Sequence, residues 1–262
     1  MLVGSAVPSS DPLGDLARLG MDVVQVHLSA PRNWRAPKPR DDAEQLAASG
    51  AVVAAHASYL VNPASATAQV RERSWEALRA TAAAAATVGA QGVVVHAGQA
   101  GADGTIDQAL ARWVAGITDV VLPVPLLVEN TAAGNAAPGR HLDDLVRLVA
   151  ELRAATRTEV GVCLDTCHAF AGDPAAADDP GGWTTALRDG VGGIDLLHVN
   201  DSVVPAGGGR DNHAALGDGR MGLGALAAMV GAARSPAAVL ETPGDDERRR
   251  ADLDLLRSWA RD

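Results

Sequence analysis

Lysine is almost absent from this chain. Lys38 is the only one in 262 residues, so arginine carries nearly all of the positive charge. Cysteine is nearly as scarce: Cys163 and Cys167 lie four positions apart on either side of Asp165. Two thiols so placed make no disulfide framework, and a cytoplasmic location is the expectation. Aromatic residues amount to 3% of the chain, with Tyr59 the single tyrosine. Long apolar runs are missing too. The nearest to one, residues 82–95, is broken by Gly89, Gln91 and Gly92, and it reads as a helix followed by a strand. That excludes a membrane span there. No basic segment followed by an apolar one marks the N-terminus, so no secretory signal is expected. Acidic residues outnumber basic ones by 32 to 22, a net charge of −10, which argues against a generic nucleic-acid binder.

What the chain does have is a repeated pattern. Six short apolar runs each end in a residue able to bind a divalent metal, at intervals of 33 to 43 positions. Residues 51–55 end in His56, 92–95 in His96 and 126–128 in Glu129; 160–164 end in Asp165, 194–197 (interrupted by Asp195) in His198, and 237–240 in Glu241. Continuous apolar runs are the mark of buried parallel strands, which need helical crossovers between them. Residues 2–3 and 22–26 read as two further strands. Helical periodicity falls between the strands, at Pro12–Leu19, 41–49, 68–88, 106–120, Leu142–Ala155, 183–188, 223–230 and 246–260.

Alternation of this kind, over about the length of one barrel of roughly 250 residues, predicts an α/β protein with a single (β/α)8 TIM barrel. The active site is expected at the C-terminal ends of its strands. No linker or shift in composition divides residues 1–262, which read as one domain. A Gly-rich excursion at 201–222 carries Asp211 and His213, and loops that long in compact domains are usually functional or disordered.

Taken singly, each of these residues has an ordinary structural use. A histidine after a strand can be a hydrogen-bonded structural residue, and Asp165 could cap the helix that follows it. Unconnected capping does not, however, put five of seven histidines on one rim. The candidate ligands are His56, His96, Glu129, Asp165, His168, His198, Asp211, His213 and Glu241. Five imidazoles and four carboxylates suit zinc or manganese without thiolate. Nine donors exceed the needs of one ion, so two or three ions sharing a carboxylate are expected. Clustered ions suit displacement at phosphorus, and their charge would offset the acidic balance locally. Cys163 and Cys167 read as packing. Gly217-Asp218-Gly219-Arg220-Met221-Gly222 matches a dinucleotide-binding pattern but follows a loop, so it reads as a tight turn and no nucleotide cofactor is expected. Arg248-Arg249-Arg250 reads as a solvated helix face. His27 and His141 receive no role, although His27 could line the same rim.

Seven segments taken in order resemble the endonuclease IV family, the zinc-dependent apurinic/apyrimidinic endonucleases. They are VVVHAG (93–98), VENT (128–131), GVCLDTCHAF (161–170), LHVNDS (197–202), DNH (211–213), LGDG (216–219) and LETP (240–243). The resemblance implies three zinc ions: the first on His56, His96 and Glu129, the second on Glu129, Asp165, His198 and Glu241, and the third on His168, Asp211 and His213. It implies hydrolysis of damaged double-stranded DNA by a metal-bridging hydroxide, 5′ of abasic sites, leaving a 3′-hydroxyl. Glu241, Asp165 and Glu129 would be the catalytic carboxylates. Arg32, Trp34, Arg35 and Tyr59 would contact the DNA, with Arg32 and Tyr59 inserted at the lesion. A monomer is expected.

Four positions depart from the family's pattern. Ala6 stands near a usual strand-one histidine, Asn212 in place of arginine, Val203 in place of lysine, and Gly209 at another basic position. Each lost cation weakens phosphate contact. The rival reading is a sugar isomerase or epimerase of the xylose-isomerase-like barrels, with Glu129, Asp165, His198 and Glu241 around one or two ions. His56, His96, His168, Asp211 and His213 have no use in that chemistry.

Overall fold

The computed structural model describes residues 1–8 and 10–260. Eight parallel strands close a barrel: β1 (Leu2–Ala6), β2 (Val23–His27), β3 (Val52–His56), β4 (Val93–His96), β5 (Leu126–Glu129), β6 (Val160–Asp165), β7 (Leu196–His198) and β10 (Ala237–Leu240). Around the ring β1 lies between β2 and β10, and every other strand neighbours its successor. The crossovers run through α1 (Pro12–Leu19), α2 (Ala43–Ala47), α3 (Ala68–Thr87), α4 (Ile106–Ile117), α5 (Leu142–Ala155), α8 (Pro180–Val191) and α9 (Leu223–Ala233), and α10 (Asp246–Trp259) follows the last strand. The TIM barrel expected from the alternation is therefore the fold.

Local chemistry explains where the helices begin. Asp11, Thr105, Asp179 and Asp245 each accept a backbone N–H of their helix's first turn, and Thr105 forms a reciprocal capping box with Gln108. Among the described residues no helix is long and apolar enough to cross a membrane.

Two apolar layers form because strand side chains alternate. One parity packs outward under the helices, as with Leu126, Val128, Val162 and Leu164. The other makes a separate interior floor of Val23, Ala54, Val94, Leu127, Cys163, Leu196, Ala237 and Val239. By alternation β1 offers the interior Leu2 at the foot of the barrel, then only the small Gly4 and Ala6. A Cβ on Gly4 would lie 1.7 Å from the Val23 carbonyl oxygen, so only glycine lets β1 approach β2 there.

The sequence reading differs from the structure in three places. Residues 166–178 form two short helices, α6 (Thr166–Gly172) and α7 (Pro174–Asp178), which the helical periodicity does not mark, although Asp165 does cap the first of them. The excursion at 201–222 contains a hairpin that the sequence pattern does not mark: β8 (Asp201–Ser202) pairs antiparallel with β9 (His213–Ala214). The fully buried Asp201 carboxylate accepts the backbone N–H groups of Ser202, Gly217, Gly219 and Met221 at 2.7–3.2 Å, which ties the glycine turn down. Arg248 is partly solvated but is not a free surface charge. Its guanidinium bonds Asp252, Asp218 and the Leu216 carbonyl, clamping α10 to the same turn.

Candidate metal centre

Two residues beyond each floor residue, the strand alternation returns a side chain to the interior. His56 follows Ala54, His96 follows Val94, Glu129 follows Leu127, Asp165 follows Cys163, His198 follows Leu196, and Glu241 follows Val239. All six therefore stand in one layer above the apolar floor, at the C-terminal mouth. Three donors come from loops. His168 sits in the first turn of α6, where its backbone N–H is capped by Asp165 Oδ1 at 2.8 Å. His213 lies on β9, and Asp211 lies two residues before it.

Glu129 is the hub, and it is fully buried. Its Oε2 lies 3.2 Å from His56 Nε2 and 3.1 Å from His96 Nε2. Its Oε1 lies 3.0 Å from His198 Nδ1. The two oxygens thus face different groups, the geometry required of a bridging carboxylate. Glu241 Oε2 approaches the same His198 nitrogen at 3.2 Å. A third group is built on Asp211, whose Oδ1 is 3.0 Å from His213 Nε2 and whose Oδ2 is 3.2 Å from His168 Nε2. Donor atoms converge within 4.8 Å in each of three sets: His56/His96/Glu129, Glu129/Asp165/His198/Glu241 and His168/Asp211/His213.

Hydrogen bonds on the far side of each ring test whether a cation suits these sets. His56 Nδ1 donates to the Ala57 carbonyl at 2.7 Å, and His168 Nδ1 donates to the Asn130 carbonyl at 3.0 Å. His198 Nε2 donates to Gln25 Oε1 at 2.8 Å. A neutral imidazole fixed in this way turns an unprotonated nitrogen toward carboxylates, acceptor against acceptor. The contact needs a proton or a cation between. His168 Nε2 and His213 Nε2 are buried with no hydrogen-bond partner. Orphaned lone pairs aimed at carboxylates are what a divalent ion would satisfy, and the N/O donor set suits zinc or manganese.

Without a cation, protons do the balancing. Burial alone would raise Glu129, but His96, His198 and His168 outweigh it and hold the carboxyl well below its usual range. Burial opposes the charged form of His213 as well, yet Asp165 and Asp211 lift it to about 9. Against the same burial, Asp165, Asp211 and Glu129 raise His168, while Cys163, Glu241 and Glu129 raise His198. His27 goes the other way, pushed down to about 4 by burial and by His56, so it is neutral at physiological pH. Burial pushes Cys163 and Cys167 up to about 12, so both are thiols.

Three residues that the sequence reading left without a role support the donors. Asn200 Nδ2 donates to Asp165 Oδ2 at 2.7 Å, while Asn200 Oδ1 accepts the Glu241 N–H at 2.9 Å. Asn130 exchanges two bonds with the Asp165 backbone. Gln25, on β2, touches both His198 and Glu241. The available signal was positional: Gln25 follows the floor residue Val23 by the same two-residue step as the donors. His27 lies one step further out, its ring centroid 5.0 Å from that of His56.

Tyr59, 46% exposed as a residue, stacks on His96 at 5.7 Å, and burial and nearby carboxylates push its hydroxyl up to about 12. The Pro31 carbonyl accepts both the Tyr59 N–H and the Ser58 hydroxyl, at 2.8 and 2.9 Å, which links the loop after β3 to the one carrying residues 32–35. Arg32 and Arg35 are exposed there, and Trp34 is half-buried against the core. A cavity of about 210 Å³ opens beside the donors, lined in part by Tyr59, Asn62, His96, Thr131, His168 and Asp211.

Residues 13–259 match the model of the xylose isomerase-like TIM barrel family. A Mycobacterium bovis (strain BCG / Pasteur 1173P2) protein named "Probable endonuclease 4" is 42% identical over 257 residues, 98% of each chain. The crystal structure of endonuclease IV from Thermus thermophilus superposes with a TM-score of 0.82 at 30% identity, covering 100% of this chain and 99% of that one. A D-tagatose 3-epimerase-like protein shares the fold, with a TM-score of 0.76 at 16% identity and coverage of 100% and 97%.

Proposed function

The chain belongs to the endonuclease IV family of xylose isomerase-like TIM barrels, and from that premise we propose that it hydrolyses a phosphodiester bond in duplex DNA at abasic sites. The scissile bond would lie 5′ of the lesion, leaving a 3′-hydroxyl. One observation carries this reading: the Glu129 carboxylate divides its oxygens between two histidine groups while a third donor set stands beside them. Sugar isomerisation on one or two ions has no use for that third set. The epimerase-like structure shares the fold alone.

His56, His96 and Glu129 would hold one zinc, Glu129, Asp165, His198 and Glu241 a second, and His168, Asp211 and His213 a third, with manganese an alternative at one or more positions. Bound divalent ions supply a water of lowered pKa and neutralise charge on the attacking and leaving oxygens. Around them the protein's own groups set the geometry. Glu241 Oε2, which faces His198, would take the proton of the attacking water. Asp165, kept in place by Asn200 and Asn130, would help orient that water. Arg32 and Arg35 would contact phosphates, while Trp34 braces their loop. Tyr59 would fill the space left by the missing base, a stacking exchange suited to an extruded nucleotide.

The test combines metal analysis of the purified protein with incision of a duplex carrying one abasic analogue. About three zinc equivalents and chelator-sensitive incision are expected. One equivalent, no incision and ketose–aldose conversion would overturn the proposal. For Tyr59→Ala, loss of one aromatic stack worth about 1–3 kcal/mol predicts a roughly 5- to 150-fold drop in preference for damaged over undamaged duplex. Competition binding measures it, and an unchanged preference removes Tyr59 from lesion recognition.

A further inference from the structure

We infer that Gln25 is the positioning residue of the second donor set, fixing both the tautomer of His198 and the orientation of Glu241. The inference rests on the metal-centre reading proposed above.

Gln25 is 1% exposed, and a buried amide needs partners for both of its ends. Both ends of that amide are used. Oε1 accepts from His198 Nε2 at 2.8 Å, which puts the proton on Nε2 and leaves Nδ1 free to face Glu129 and Glu241. Nε2 of the amide donates to Glu241 Oε1 at 2.7 Å, leaving Oε2 for the centre. One side chain therefore sets the atom that each of two donors presents.

The topology explains how a residue on β2 can do this. Around the barrel β1 separates β2 from β10. In the layer of the donors β1 contributes Ala6, which pairs with Gln25 in register. Its methyl group leaves an open path over β1, and the glutamine reaches across it to Glu241. A large side chain at position 6 would block the span. Gln25 is also a neutral partner. A carboxylate in its place would push the His198 ring toward imidazolate, whereas an amide fixes the ring's orientation without adding charge.

Loss of an outer-shell partner typically weakens metal retention or activity 10- to 100-fold. Two variants separate positioning from mere folding. Gln25→Leu keeps the volume and removes both bonds. Gln25→Asn keeps the amide but is one methylene too short to bridge the two partners. Each, with the wild-type protein, is titrated with Zn²⁺ against a chromophoric chelator. One equivalent loosened 10- to 100-fold in both variants, with the remaining equivalents at wild-type affinity, is the expected result. Wild-type affinities throughout, or equal loosening of every equivalent, overturn the inference. Should Gln25→Leu fail to fold, Gln25→Asn decides by the same two outcomes. A wild-type protein that takes up no zinc would sink the metal-centre reading itself, a distinguishable failure.

Discussion

Replacing Glu241 with glutamine is expected to lower strand cleavage by on the order of 10²–10⁴-fold while leaving affinity for an abasic duplex nearly unchanged. The two halves of this expectation have different causes. Glutamine matches glutamate in shape, and its backbone N–H keeps its bond to Asn200 Oδ1, so the end of β10 stays where it is. On the proposed DNA contacts, affinity would come from groups nearer the rim, such as Arg32, Arg35 and Tyr59, and removing a negative charge beside a phosphate would not weaken it. The reaction, in contrast, loses the oxygen facing His198 as a proton acceptor. Single-turnover incision and a binding isotherm on the same duplex measure both quantities. Cleavage at the wild-type rate would remove Glu241 from the chemistry. A parallel loss of binding would make it a structural support instead.

Stripping the metal is expected to cost stability as well as activity. Each site saturated a thousandfold above its Kd adds about 4 kcal/mol of stability, which for a chain of this size is on the order of 10 °C in Tm per site. The pH dependence has a definite sign. His213 has its folded pKa raised to about 9 in the metal-free protein, so its stabilising contribution is complete below its ordinary value of 6.5 and is lost as pH rises through about 9. His168 and His198 are raised too and act in the same direction. Metal binding requires those protons to leave, so it strengthens with pH. The Tm difference between zinc-loaded and chelated protein should therefore widen from pH 6.5 to 9. Thermal melts at several pH values check this. A constant or narrowing gap would mean that the histidines and the metal do not compete.

Much of the fold was legible because parallel strands announce themselves twice, as short apolar runs and as helices between them. The six donors on barrel strands were visible as run endings, since each stands two residues beyond an interior floor residue. Gln25 obeys the same offset and was invisible. Glutamine is not a metal-type residue, and Val23–His27 continues past it to His27. Asn130 and Asn200 were present in the motifs, but their partners come from other strands, which no local pattern reveals. The hairpin β8–β9 was illegible for another reason. Its strands are two residues each, held by the buried Asp201 carboxylate more than by their own propensity. Arg248 misled because its sequence neighbours are charged, whereas its partners, Asp218 and the Leu216 carbonyl, lie some thirty positions away.

The three donor sets are not fastened equally to the scaffold. Every member of the first two stands at the end of a strand hydrogen-bonded into a closed ring. Two of the three in the last, Asp211 and His213, are carried by the short hairpin, whose anchorage depends on Asp201. Local opening in proteins starts where few bonds must break together. Breathing of that hairpin would take one set apart and leave the barrel and the other two standing. Damage to the centre would then come in discrete steps, with a partly assembled form populated before the fold itself gives way.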